Sequence, residues 1–91
     1  MAGKSKYAPL GQRLAASGLE RVQLTFEEMK ALCGLPETAY TDRRFWGNTW
    51  NKGRRQAHSW LSEGYVVDEV CLGNYVIFLR DPRRAQKPGL R

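Results

Sequence analysis

The sequence predicts an α+β fold, and three observations carry that expectation. Apolar residues recur at helical spacing in three stretches, they alternate over Val22–Phe26, and Gly73-Asn74 separates two further β-rich runs as a hairpin loop does. The chain has 91 residues, 42% apolar and 26% charged, which makes one small domain and excludes most multidomain enzymes. A chain of this length buries only about two-thirds of its unfolded surface. Its core therefore depends on a few large side chains, which three Trp, four Tyr and three Phe supply.

Tyr7, Leu10 and Leu14 predict a helix over 7–16, with Pro9 tolerated in its first turn and Ser17-Gly18 at its end. Residues 1–6 precede the domain as a flexible N-terminus. Val22, Leu24 and Phe26 alternate with Gln23 and Thr25, the pattern of a strand with one buried face. A helix follows at once, because Thr25 and Glu28 form a T-x-x-E capping box that satisfies backbone N–H groups of the first turn. Its apolar face is Phe26, Met29, Leu32 and Cys33, and Gly34-Leu35-Pro36 stops it. Glu37 to Lys52 follows no period and reads as turn, with a short helix around Ala39 to Arg44. A further helix runs from about Gly53 to Ser62, with Ala57, Trp60 and Leu61 inward and Arg54, Arg55, His58 and Ser62 largely outward. Strands over Tyr65–Leu72 and Tyr75–Arg80 complete a domain spanning 7–81. Their Gly-Asn loop is expected to hold both residues at positive φ. Residues 82–91, with Pro82, Pro88 and Gly89, read as a flexible basic tail.

Helix, strand, helix, turn, helix and hairpin is the element order of a winged helix-turn-helix. In that architecture three helices pack on a small three-stranded antiparallel sheet, the third helix faces the major groove and the hairpin is the wing.

The charge supports the same expectation. Fifteen Lys and Arg against nine Asp and Glu give a net charge of +6, and the signs are sorted along the chain. Residues 25–42 carry −3 through Glu27, Glu28, Glu37 and Asp42 against Lys30, whereas residues 43–62 carry +5 through Arg43, Arg44, Lys52, Arg54 and Arg55 with no acid. Residues 63–79 return to −3, and the tail from Arg80 carries +4. A surface with incidental excess would mix both signs. Sorted cations point to a polyanion.

Candidate contacts follow from residue chemistry. Arg54 and Arg55 open the third helix, where side chains reach base edges, and an Arg fork on guanine contributes about 1–3 kcal/mol of discrimination. Two arginines there also oppose the helix dipole unless an anion compensates. Gln56 suits adenine, and His58 lies beside it. Arg43, Arg44, Lys52, Arg80 and Arg83 suit phosphates, Asn48 a base edge, and Trp50 a stacking ring. Trp46 and Trp60 read as core, and Arg84, Lys87 and Arg91 as sequence-independent attraction.

Catalysis, metal and cofactor find no footing. His58 is the one histidine, no Gly-rich phosphate loop follows a strand, and Cys33 and Cys71 have neither CxxC nor Cys/His spacing. Both thiols are expected to be reduced. No apolar run approaches the roughly 18 residues of a membrane span, so a cytoplasmic protein is expected.

Several segments together resemble a family of small bacterial and phage domains of uncharacterised function. They are K-Y-A-P-L at Lys6–Leu10, V-Q-L-T-F-E-E at Val22–Glu28, F-W-G-N at Phe45–Asn48, Q-A-H-S-W-L at Gln56–Leu61, G-Y-V-V at Gly64–Val67 and V-I-F-L-R at Val76–Arg80. The chain departs from that pattern at Phe45, where Trp is usual, and at Arg55, where a small polar residue is expected. The expected function is a small non-enzymatic protein binding nucleic acid, DNA before RNA, through the helix 53–63 and the hairpin 65–80, as a regulator of a phage or mobile element. The alternative is an anti-defence module of the anti-CRISPR kind, whose basic face occupies the nucleic-acid-binding surface of a host complex.

Overall fold

The computed structural model describes residues 6–87. The expected N-terminal segment, Lys6 apart, and residues 88–91 of the expected tail lie outside the described residues.

The first helix, α1 (Ala8–Ser17), buries Leu10, Gly11 and Leu14 and ends at Gly18, whose φ of 64° only glycine adopts without strain. Strand β1 (Arg21–Thr25) alternates as expected, with Val22 and Leu24 buried. Helix α2 (Phe26–Cys33) starts on the anticipated capping box: the Thr25 N–H donates to Glu28 Oε1 at 2.8 Å and the Glu28 N–H donates to Thr25 Oγ1 at 3.0 Å. The aperiodic segment holds a four-residue helix α3 (Thr38–Thr41) and a 3-10 turn (Arg43–Trp46) capped by the Asp42 carboxylate on the Arg44 N–H. Then come α4 (Arg55–Leu61), β2 (Tyr65–Cys71), β3 (Tyr75–Arg80) and α5 (Pro82–Ala85).

The architecture is α+β, a three-stranded antiparallel sheet of order β1-β3-β2 with five α-helices among the described residues, where three helices and a short one around Ala39 to Arg44 were expected. Val22 and Leu24 face Phe78 and Val76 across the β1–β3 pair, so all four share one face of the sheet. The core forms on that face. Trp60 and Phe78 are fully buried and Trp46 nearly so, with Trp46 stacked on Trp60 at 5.8 Å and Trp60 edge-on to Phe78 at 5.6 Å. Helices α1 and α4 approach closely at Gly11, where a side chain would run into the Ser59 carbonyl. Among the described residues no helix is long and apolar enough to cross a membrane.

Three expectations need correction. Helix α4 starts at Arg55 rather than Gly53, because Asn51 Oδ1 takes the Gly53 N–H in a side-chain turn and the Asn51 carbonyl takes the Arg54 N–H. The hairpin connection is Leu72–Asn74, three residues, closed by the Asn74 N–H on the Cys71 carbonyl; Gly73 alone has positive φ, at 80°. Finally, residues 82–85 are helical and not a loose tail. Asp81 accepts from the Arg84 N–H as the cap, Pro82 takes the first helical position, and Ala85 is 3% exposed.

Candidate nucleic-acid interface

The segment leading into α4 lies along the outer edge of β2. Asn48 replaces a strand there: its Nδ2 donates to the Val67 carbonyl at 2.9 Å, while its Oδ1 accepts from the Val67 N–H at 2.8 Å and from Trp60 Nε1 at 3.0 Å. Further along the edge, Arg43 donates from Nη1 to the Val70 carbonyl at 2.7 Å. These bonds use both acceptor positions of Oδ1 and one of the two Nδ2–H donors, so the exposed Asn48 keeps a single N–H for a base edge.

Gln56 is also committed internally. It is 7% exposed and donates from Nε2 to the Phe45 carbonyl at 3.0 Å. Residues 57, 59, 60 and 61 are buried with it, so α4 shows solvent little beyond Arg55 and half of His58. A period-3.6 pattern cannot reveal this. It identifies the face that meets the sheet, not the second face that α1 covers at Gly11.

The arginines do not all meet. Arg44 is fixed on Asp42 by two side-chain hydrogen bonds, at 3.2 and 3.1 Å, and Arg54 donates from Nη1 to the Arg44 carbonyl at 3.0 Å. These side-chain bonds, with the Arg44 N–H, hold the Asp42 carboxyl below the usual carboxylate range, and they raise the Arg44 guanidinium. Arg80 stands at the far end of β3 from the hairpin, 3.8 Å from the Glu20 carboxylate.

Trp50 is half-buried rather than the exposed ring anticipated, and it joins two basic segments. Its Nε1 donates to the Ala85 carbonyl at 2.9 Å, its ring lies 5.0 Å from that of His58, and Lys87 Nζ stands 5.9 Å over it. His58 Nε2 meets the Asn51 carbonyl at 3.1 Å, holding the loop against α4. A shallow cavity of about 370 Å³ lies between Trp50, Leu61, Pro82 and Lys87. The side chains of Lys52, Arg55 and Arg83, all exposed, have no hydrogen-bond or ion-pair partner among the described residues. The role of α5 in bringing Ala85 and Lys87 to Trp50 escaped sequence reading; its signal was Asp81-Pro82, a cap followed by a first-turn proline.

Among the described residues no group of three or more His, Cys, Asp or Glu could hold a metal ion. Cys33 and Cys71 are free and half-buried, and burial pushes the Cys33 thiol up.

Fold and surface together define a small α+β domain with basic segments at both ends of a buried helix. Residues 7–82 match the family described as a domain of unknown function (DUF7662), and the chain belongs to that family. No curated protein and no solved structure matches it.

Proposed function

We propose that this is a non-enzymatic nucleic-acid-binding domain acting on double-stranded DNA in the cytoplasm, through the basic surface that flanks α4. The observation that carries the reading is the Trp50–Ala85 hydrogen bond, which joins the segment of Lys52, Arg54 and Arg55 to that of Arg83, Arg84 and Lys87. Like charges gathered without internal counter-ions repel one another and are relieved by a polyanion. Helix α4 is about 10 Å long, so cations at its two ends span about three phosphates of one DNA strand. The sheet order and the β2–β3 hairpin support a winged-helix variant, with α4 in the position of the third helix and the hairpin as wing.

The test is the salt dependence of affinity for a labelled duplex. Each phosphate neutralised adds about 0.9 to the slope of log K against log salt. The side chains of Lys52, Arg55 and Arg83 have no partner among the described residues, so replacing all three by Ala is expected to lower the slope by about 2.7 while leaving the melting temperature unchanged. Absence of binding by the unaltered chain at about 50 mM salt overturns the reading and favours the host-protein partner of the alternative.

A further inference from the structure

We infer that this surface grips nucleic acid by its phosphates and does not read base sequence, an inference that rests on the nucleic-acid reading above. Direct readout needs an element that enters a groove and side chains there with unused donors or acceptors. Helix α4 fails both requirements. A helix with its side chains is about 10–12 Å across and the major groove about 12 Å wide, so a reading helix must stand clear of its own domain on the groove side. Here α1 crosses α4 at the Gly11–Ser59 approach, and five of the seven α4 residues are buried.

Most polar groups of this surface that could read bases are engaged inside the protein. Gln56 is bound to the Phe45 carbonyl, Asn48 to Val67 and Trp60, and Ser59 Oγ donates to the Gln56 carbonyl at 2.6 Å. Asn51 Oδ1 holds the Gly53 N–H, and Arg54 is tied to the Arg44 carbonyl. What remains outward is dominated by Lys52, Arg55, Arg83 and Arg84, cations suited to phosphate oxygens, with one Nδ2–H of Asn48 and the Nδ2 group of Asn51 beside them.

Two measurements test this with the full chain. Affinities for unrelated duplexes, one rich in A·T and one in G·C, are expected to agree within about tenfold with equal salt slopes, and repeated selection from a random duplex pool is expected to enrich no motif. Emergence of a sequence bound about a thousandfold tighter than the pool overturns this inference alone. Failure to bind any duplex at low salt overturns the nucleic-acid reading and this inference with it. Arg55→Lys separates the two roles of the one exposed α4 arginine: a phosphate contact keeps its affinity within about twofold, whereas a guanine contact loses discrimination.

Discussion

Replacing Asn48 by alanine tests whether this side chain builds the fold or meets a ligand. The amide head makes three hydrogen bonds, at 2.9, 2.8 and 3.0 Å, to both backbone groups of Val67 and to the indole N–H of Trp60. Alanine orphans all three partners. Trp60 is fully buried and Val67 is 8% exposed, so water replaces the lost bonds poorly. At about 1 kcal/mol for each bond, Asn48→Ala is expected to destabilise the domain by about 3 kcal/mol. In a chain of this size that lowers the melting temperature by about 15 °C, measurable by circular dichroism. Asn48→Asp adds a signature of its own. It keeps the acceptor for Val67 N–H and Trp60 but sets a carboxylate oxygen against the Val67 carbonyl, which raises the new carboxyl's pKa. Its cost is therefore present above that raised pKa and relieved as pH falls below it, when the protonated oxygen can donate to the carbonyl. Normal melting of Asn48→Ala together with lost duplex affinity would refute the reasoning and return Asn48 to the binding surface.

Gly11→Ala is expected to destabilise by about 1–2 kcal/mol in urea unfolding, because forcing α1 off the Ser59 carbonyl costs more than the roughly 1 kcal/mol of helix propensity that alanine gains; stabilisation would contradict the helix crossing described. The Asp42 carboxyl, held below its ordinary range by Arg44, contributes stability that is present above the unfolded carboxylate pKa and lost as pH falls through the lower folded value. Asp42→Asn should thus flatten the decline of stability below about pH 4, and parallel acid limbs in the two proteins would count against the pairing.

Local chemistry made much of the fold legible. The T-x-x-E box fixed where α2 begins, the alternation of Val22 and Leu24 set the inward face of β1, and Tyr75–Arg80 was bounded at its start by the Gly-Asn turn. What escaped was tertiary. Asn48 looks like a turn former beside Gly47, and only the unpaired edge of β2 gives its amide two backbone partners. Gln56 lies four residues before Trp60, at the margin of the apolar face, and the 3-10 turn delivers the Phe45 carbonyl to it. Trp50 has an apolar ring and a single donor, and its partner lies 35 residues away on a segment whose two prolines suggested a tail. The cations told the same story in part: composition marked the basic segments, but Asp42, Glu20 and the carbonyls of Val70 and Arg44 decided which of them stay free.

Titrating an unlabelled duplex into the 15N-labelled chain and following amide and indole signals tests the nucleic-acid interface most directly. The Trp50 indole, the amides of residues 52–55 and those of 83–87 are expected to shift together at low salt and to return as salt is added. Shifts confined to α2 or β1, or none at all, would contradict it.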